Sequence, residues 1–208
     1  MPSALRPSQL REQFGDIDIY LFDQLQRGRI DDRATVLDAG CGSGRNLVFM
    51  VRAGMRVHGV DAGADAVTAA RHRLIEAAPD FDPAHLSVQR VDALGFGDGT
   101  MDVVISSAVL HFAHDDAHFH AMVREMWRVL APGGMLFCRL ASTIGIEQSV
   151  RPLAGRRHLL PDGSTRYLVD ETFLMETTRR LGGSLLDPLK TTVVQGMRAM
   201  TTWVVQKR

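Results

Sequence analysis

The chain is poor in cysteine and in aromatic residues, and it carries no excess charge of either sign. Among 208 residues there are 2 cysteines and 6% aromatic residues, and 24 acidic and 24 basic side chains give a formal net charge of zero. The two cysteines, Cys41 and Cys138, do not predict a disulfide framework. The balanced charge argues against a dedicated nucleic-acid-binding protein, which normally presents a basic face.

Long apolar runs are also absent. No segment reaches the length needed to cross a lipid bilayer, and the N-terminal sequence MPSALR lacks the apolar stretch of a secretory signal. We therefore expect a cytoplasmic protein with no membrane partner. A length of 208 residues suits one α/β domain with a sizeable core, so we expect a single domain over residues 1–208.

The most informative segment is rich in glycine and follows a short apolar stretch. Residues 36–46 are VLDAGCGSGRN, with glycines at the alternate positions 40, 42 and 44. Alternating glycines permit a tight turn and a close approach of the backbone to a ligand, because no Cβ stands in the way. The pattern predicts a helix that begins near Ser43 and directs its N-terminal N–H groups toward that ligand.

Two common nucleotide-binding loops fit this segment less well. A P-loop needs Lys followed by Ser or Thr after its last glycine, but Arg45 and Asn46 occupy these positions. A dinucleotide-binding loop more often has the spacing G-x-G-x-x-G. The P-loop is therefore excluded, and the dinucleotide alternative is weakened.

An acid after the second predicted strand strengthens the ligand-binding interpretation. Asp61 ends the apolar stretch 57–60 and lies 17 residues after Gly44. A carboxylate at this place in a strand–helix–strand unit accepts two ribose hydroxyls. The glycine loop and Asp61 together predict an adenosine-type ligand, and the alternative for Asp61 is a plain turn residue.

Further motifs follow in order. Residues 88–93 are VQRVDA, residues 101–105 are MDVVI, and the turn LAPGG at 130–134 precedes the apolar stretch 135–140. With the signature V-L-D-x-G-C-G-x-G, this combination resembles the class I S-adenosylmethionine-dependent methyltransferases, of the small UbiE-like (methyltransferase domain 11) type. The matching motifs run from Val36 to Leu140, about half of the chain.

The order of the apolar patterns predicts an α/β fold. Alternating strands and helices favour a parallel sheet covered on both faces. The resemblance implies a Rossmann-like, seven-stranded, mostly parallel sheet with an antiparallel C-terminal edge hairpin. We predict strands at 34–38, 55–60, 86–91, 101–106, 134–140, 184–191 and 197–206. We predict helices at 8–29 (one or two), 44–53, 64–77, 115–130 and 170–181.

We expect four functional parts within the domain. They are an N-terminal helical lid (1–30), a cofactor-binding core (34–140), a substrate loop (141–168), and a last helix with edge strands (169–208). The loop 141–168 interrupts the alternation and contains a predicted hairpin around Pro161-Asp162-Gly163. Long connections at the carboxyl end of a parallel sheet often carry function, so we expect substrate choice to depend on residues 8–20 and 141–168.

The resemblance implies S-adenosyl-L-methionine as the cofactor. We expect its contacts at Asp38, Gly40, Cys41, Gly42, Asn46, Asp61, Ala62, Asp92, Ala93 and Ser106. Asp38 either contacts the methionine end through water or fixes the loop by accepting its N–H groups. Asp92 either holds the adenine amino group, with the Ala93 N–H offered to the ring, or is a turn acid. We expect Cys41 to serve as a small residue of a tight loop. A nucleophilic role is the alternative, but no neighbouring base supports it.

The acceptor side is marked less clearly. His111 follows the fourth strand and is the candidate catalytic base for a hydroxyl acceptor, with a histidine packed beneath the cofactor as the alternative. The candidate substrate contacts are Phe14, Tyr20, Arg151, Arg157 and Tyr167. For the aromatic residues at positions 14 and 20 the alternative is a place in the core, and for the arginines it is a solvated loop.

A metal site is the alternative interpretation of a histidine-rich segment. His114 and His118 are four residues apart and share a predicted helix face. No second cluster with ligand spacing accompanies them, and Asp115 and Asp116 suit the positive end of a solvated helix. We therefore expect no metal.

These features together predict methyl transfer from S-adenosylmethionine to a small-molecule acceptor by a monomer or homodimer. The segment SSAV at 106–109 lacks the N-P-P-Y type signature used on exocyclic nucleobase amines, which argues against nucleic acid as the acceptor. A thiol or metalloid acceptor would need no protein base. A non-catalytic cofactor-binding protein and an NAD(P)-dependent oxidoreductase remain alternatives.

Overall fold

The structure is a computed structural model that describes residues 6–208 and has a mixed α/β fold. Residues 1–5, the start of the predicted lid segment, lie outside the described residues. The helices are α1 (Pro7–Phe14), α2 (Ile19–Gln26), α3 (Val48–Arg52), α4 (Ala64–Ala77), α5 (Asp116–Val129) and α6 (Glu171–Arg180). The strands are β1 (Thr35–Ala39), β2 (Arg56–Asp61), β3 (Leu86–Val88), β4 (Met101–Ser107), β5 (Leu130–Ser142), β6 (Arg151–Ala154), β7 (Arg157–Leu159), β8 (Thr165–Tyr167), β9 (Ser184–Leu185), β10 (Lys190–Val194) and β11 (Arg198–Gln206).

The central sheet is mostly parallel. Its strand order is β10-β11-β5-β4-β1-β2-β3, and β9 also pairs with β11. The strands β1 to β5 are parallel to one another, whereas β11 is antiparallel to β5, β10 and β9. The chain extends from β1 to one side and returns to β4 on the other side. In open α/β sheets, ligands bind at the carboxyl ends of the strands at such a reversal.

Apolar side chains cover both faces of this sheet. One core cluster packs the sheet against α5 and α6 and includes Phe119, while another packs it against α2, α3 and α4 and includes Leu21. Val103 and Val104, neighbours in β4, enter different clusters, because successive side chains of a strand point to opposite faces. The predicted sheet with helices on both faces and an antiparallel C-terminal hairpin is confirmed. Within residues 6–208, no helix combines the length and apolar character needed to span a bilayer.

The helix after the glycine loop begins later than predicted. The predicted range was 44–53, but α3 begins at Val48 and ends at Arg52. Gly44 has a φ of 76°, which a right-handed helix cannot include, and the Leu47 N–H donates to its carbonyl in a turn. The backbone of the glycine loop therefore lies at the carboxyl end of β1, where the prediction had placed the N-terminus of a longer helix.

Several strand boundaries also differ from the prediction. The segment 130–134, predicted as a turn, belongs to β5, because the Gly133 N–H donates to the Lys207 carbonyl and the Lys207 N–H to the Gly134 carbonyl. The strand predicted at 184–191 is divided into β9 and β10. Asp187 lies in the interruption, where it accepts hydrogen bonds from Gln24 and Arg29.

A second, antiparallel sheet follows β5 and consists of β6, β7 and β8. The predicted hairpin is confirmed, since β7 and β8 pair with Leu159 opposite Thr165. The strand β6 was not predicted from the sequence. All four of its residues are exposed, so it lacks the alternating burial pattern that marks a strand.

Candidate cofactor and active site

A cavity of about 590 Å³ lies at the carboxyl ends of β1, β2 and β4. This is where the strand order reverses, the usual ligand position in such sheets. The structure brings together seven residues of the predicted cofactor set in its wall: Gly40, Cys41, Gly42, Asn46, Asp61, Ala62 and Asp92. Residues from three separate loops therefore surround one space, as the motif order predicted.

Asp61 holds the glycine loop in place. Its Oδ2 accepts the Gly42 N–H at 2.9 Å and its Oδ1 accepts the Gly63 N–H at 2.9 Å. The N–H groups of Gly40 and Cys41 both donate to the Val60 carbonyl, at 2.8 and 2.9 Å. Each oxygen of Asp61 retains acceptor capacity after these bonds, so the carboxylate can also accept hydroxyls of a ligand.

The three loop glycines have positive φ, but their surroundings differ. A Cβ on Gly40 would overlap the side chain of Val109, and one on Gly44 would lie 3.2 Å from the Cβ of Ala70. A Cβ on Gly42, which has a φ of 53°, would have no neighbouring atom within 4 Å. Gly40 and Gly44 thus permit close packing, whereas Gly42 leaves its backbone open toward the cavity.

Asp38 is a buried acid without a partner. It is 1% exposed, and neither carboxylate oxygen has a hydrogen-bond partner within residues 6–208. Burial raises its pKa to about 7 against the opposing effects of the Arg45 charge and the Asn46 side chain, and Asp38 is not among the residues that line the cavity. Since the loop N–H groups donate to Val60 and Asp61 instead, Asp38 does not fix the loop by accepting them. An unpartnered buried carboxyl group is costly, and a cationic group of a ligand would satisfy it.

Asp92 lines the cavity together with Arg90 and His118. Arg90 donates to it from Nε at 2.9 Å and from Nη2 at 2.6 Å, and His118 Nε2 lies 3.6 Å away. The hydrogen bonds from Arg90 lower the pKa of Asp92. The prediction for Ala93 is wrong, because its N–H donates to the Arg90 carbonyl at 3.1 Å in the turn and Ala93 does not line the cavity.

The structure changes the interpretation of two residues of the predicted cofactor set, Ser106 and Cys41. Ser106 is fully buried in β4, and its neighbour Ser107 lines the cavity instead, because the two side chains leave the strand on opposite faces. Burial raises the pKa of the Cys41 thiol far above its ordinary value. Cys41 is therefore held as a thiol in the loop and does not form a nucleophilic thiolate.

His111 lies in a short 3-10 turn, Leu110–Phe112, directly after β4. It is 7% exposed, its Nδ1 has no hydrogen-bond partner within the described chain, and it does not line the cavity. Burial and then the charge of Arg166 lower its pKa to about 4, so the imidazole is neutral at neutral pH. Its neighbour Phe112 lines the cavity and is 58% exposed.

The structure places the predicted aromatic substrate contacts away from the cavity. Phe14 packs on Phe22, with ring centroids 4.8 Å apart, and the Tyr20 hydroxyl is 2.5 Å from Thr192 Oγ1. Tyr167 is 1% exposed and donates to Asp116 at 2.8 Å. The expectation that Tyr167 contacts substrate is wrong, since its ring belongs to the core between α5 and α6.

The two predicted substrate arginines also lie outside the cavity wall. Arg151 and Arg157 are exposed on β6 and β7 of the second sheet. Their exposure agrees with the alternative of a solvated surface. No residue of the segment 141–168 is among those that line the cavity in the described part of the chain.

Sequence reasoning missed Arg45 as a cavity residue, although it directly follows the glycine loop. Arg45 donates to the Asp16 carbonyl at 3.0 Å and lies 3.8 Å from the buried carboxylate of Asp18. Asp18 caps α2 by accepting the Tyr20 N–H and also accepts from Arg139 at 3.1 Å. This network ties the start of α2 to the glycine loop and to β5.

His114 and His118 also line the cavity. Their rings stack with centroids 4.4 Å apart, and α5 begins at Asp116 with Asp115 as its N-cap. In the part of the chain that the structure describes, no three His, Cys, Asp or Glu side chains form a group suited to a metal ion.

Comparison of the sequence with known proteins finds similarity to methyltransferases. The family model of the methyltransferase domain matches residues 36–134. An arsenite methyltransferase of Aquipseudomonas alcaligenes is 34% identical over 114 residues, which are 51% of this chain and 32% of that protein. A ubiquinone biosynthesis O-methyltransferase of Nitrosococcus oceani is 29% identical over 167 residues, which are 74% of this chain and 64% of that protein.

A crystal structure of a protein from Pyrococcus horikoshii OT3 has the same fold. The two structures superpose with a TM-score of 0.73 at 18% identity, over 98% of this chain and 100% of that one. The chain spans about a third of the arsenite methyltransferase and less than two thirds of the ubiquinone relative. The matched segment contains both the glycine loop and Asp61, and over this segment the chain is similar to the methyltransferase domain family.

Proposed function

We propose that this protein transfers a methyl group from S-adenosylmethionine to a small-molecule acceptor. The observation that carries the proposal is the hydrogen bond between Gly42 and Asp61 in the wall of the cavity. This bond holds the backbone of Gly42, which has free space beside it, next to the carboxylate of Asp61, which can still accept hydrogen bonds. A ligand with a ribose and a flexible polar tail fits this combination.

Residues in the cavity wall and directly beside it in the sequence support this choice of cofactor. Asp61 would accept the ribose hydroxyls, and the open backbone at Gly42 leaves room for the chain attached to the ribose. Asp38, two residues before the lining residue Gly40, would offer a buried carboxyl group without a hydrogen-bond partner to the ammonium of the methionine part. Ala62 and Asp92 line the part of the cavity that we assign to adenine.

The chemistry asks little of the protein. When bound, the cofactor supplies a methyl group already activated by a sulfonium. The side chains of Val109, Phe112 and Met122 line the cavity and exclude water from the reacting atoms. The remaining task is to align the acceptor atom with the methyl group.

A proton acceptor is needed only for some acceptors. A hydroxyl loses its proton on methylation, and we propose neutral His111 with its unpartnered Nδ1 as the group that takes it. A pKa of about 4 makes His111 a weak base at neutral pH, and its Nδ1 is buried, so this role requires the bound acceptor to reach that atom. A thiol or metalloid acceptor would leave His111 without a catalytic role.

The acceptor class is supported by the names of the relatives. One is named for arsenite and another for ubiquinone biosynthesis, which favours a small molecule over a macromolecule. The balanced charge of the chain agrees, since a nucleic-acid substrate would favour a basic surface.

Binding and turnover test the proposal separately. Calorimetry should show binding of S-adenosylhomocysteine and none of NAD. Incubation with S-adenosylmethionine and a panel of phenols, aromatic acids, thiols and arsenite should release S-adenosylhomocysteine faster than cofactor alone. Tight NAD binding without a response to S-adenosylhomocysteine would overturn the proposal. Cofactor binding without turnover over the whole panel would support a non-catalytic binding protein instead.

A further inference from the structure

Three side chains form a group beside the cavity, and the cofactor contacts proposed above do not use it. Phe112 lines the cavity and is more than half exposed. The guanidinium carbon of Arg166 lies 5.0 Å from the centroid of its ring. The ring of His111 lies 4.6 Å from the same centroid. A cation therefore meets an exposed apolar ring of the cavity wall, while Arg166 itself is not among the residues that line the cavity.

Arg166 differs from the other arginines around the cavity in its partners. Arg90 directs two donors to Asp92, and Arg45 donates to the Asp16 carbonyl and lies near Asp18. Arg166 donates to the carbonyl of its neighbour Thr165 at 2.8 Å. No carboxylate in residues 6–208 lies within ion-pair distance of it. Most of its five N–H donors therefore remain available.

The charge of Arg166 is offset only in part, because the pKa of Asp162 is lowered first by its hydrogen bonds from Ser164 and also by the charge of Arg166. Asp162, in the turn before β8, directs its Oδ1 to the N–H and hydroxyl of Ser164. His111 is buried and carries no charge at neutral pH, and its pKa is lowered partly by Arg166 itself. The positive charge thus acts on the space next to Phe112.

We propose that the methyl acceptor is a small hydroxylated aromatic carboxylate: its carboxylate is bound by Arg166, its ring packs on Phe112, and its ring hydroxyl oxygen is the atom methylated, with the hydroxyl proton passing to His111 or to solvent. This inference rests on the function proposed above and names its substrate class. A guanidinium matches a carboxylate with two parallel hydrogen bonds, and a flat apolar body packs on an exposed aromatic ring. Arg166 lies in β8, within the segment 141–168 that is expected to select the substrate.

Matched pairs of ligands test this proposal on the full chain saturated with S-adenosylhomocysteine. The probes are benzoate, 4-hydroxybenzoate and 2-naphthoate, each compared by calorimetry with its carboxamide. We expect at least one carboxylate to bind about tenfold or more tightly than its amide, the effect of a charge-assisted pair of hydrogen bonds. The preference should decrease at high salt because the site is partly exposed.

Substitutions then assign the preference to its residues. Arg166→Gln should remove the preference for the carboxylate, whereas Arg179→Gln, at an exposed arginine near the end of α6, should retain it. Phe112→Ala should weaken binding of both members of a pair and keep their ratio. Circular dichroism checks that each variant is folded.

Two results would overturn the proposal. One is a wild-type protein that prefers none of the three carboxylates, and the other is an Arg166→Gln variant that keeps the full preference. Titration with S-adenosylhomocysteine is performed first. If that ligand fails to bind, the proposed function is refuted, while the same aryl titrations without it still decide the role of Arg166.

Discussion

The carboxylate of Asp61 accepts the backbone N–H of Gly42 at 2.9 Å, across nineteen positions of sequence. This bond joins the end of β2 to the loop after β1. A ligand that binds the carboxylate is therefore bound beside a backbone segment whose position the same carboxylate determines. Under the proposed function, substitution of Asp61 would remove a ligand contact and also the hydrogen bond that holds the loop.

The first prediction concerns Asp61→Ala. Hydrogen bonds to a charged group contribute about 1.5–3 kcal/mol, so the variant should bind S-adenosylhomocysteine at least about tenfold more weakly. Asp65→Ala, at an exposed acid in the first turn of α4, is the control with the same charge change and should bind normally. Calorimetry that gives equal dissociation constants for Asp61→Ala and wild type would identify Asp61 as a turn residue only.

The second prediction separates backbone strain from ligand contact. Gly42 and Gly28 have φ of 53° and 67°, and a Cβ at either would meet no atom within 4 Å. Valine at either position should cost about 1–3 kcal/mol of stability, because a β-branched residue disfavours positive φ. Only Gly42→Val should abolish binding of S-adenosylhomocysteine, since Gly28 follows α2 and does not line the cavity. Normal affinity in folded Gly42→Val would show that the loop does not approach the cofactor.

The third prediction is a pH dependence of stability caused by Asp38. Its pKa is about 7 in the folded protein against 3.8 ordinarily, so between these values the folded state holds a proton that the unfolded chain has released. The free energy of unfolding should therefore fall as pH rises from about 4 to 7. Asp38→Asn removes this dependence and should stabilise the ligand-free protein above pH 7, by up to about 4 kcal/mol at about 1.4 kcal/mol per unit.

Urea denaturation of both proteins at pH 5 and pH 8 measures this difference. Parallel changes in wild type and Asp38→Asn would refute it. Binding should show the opposite preference, because a ligand ammonium favours the ionised carboxylate. The affinity of wild type for S-adenosylhomocysteine should rise up to about pH 7, and that of Asp38→Asn should be lower and show no such rise.

The fourth prediction follows from the position of Tyr167. Tyr167→Phe removes a hydrogen bond to the exposed Asp116 and should lower the free energy of unfolding by about 1 kcal/mol. Tyr167→Ala also removes the buried ring and should cost about 3–5 kcal/mol, the range for large aromatic truncations. Affinity of folded Tyr167→Phe for S-adenosylhomocysteine should be unchanged. A loss of affinity with normal stability would restore a direct role at the binding site.

The sequence by itself determined the features whose cause is local. The loop glycines were recognisable because their positive φ is a property of the residue type. The range predicted for α4 agrees with Ala64–Ala77, because the apolar spacing of a helix is repeated every few residues. Asp61 was also recognisable from local sequence, because it directly ends an apolar strand.

Only the tertiary structure decided how distant side chains are used. Tyr167 pairs with Asp116, 51 positions away, and Tyr20 with Thr192, 172 positions away, so neither tyrosine lines the cavity, although both were candidates. Arg166, rather than Arg151 or Arg157, meets Phe112. Residue type does not distinguish a tyrosine of the core from one that contacts substrate. It also does not distinguish an arginine on a solvated surface from one that binds a ligand. Strand pairing and the packing of loops on the sheet decide between these roles, because they set which groups are buried and which are left without a partner.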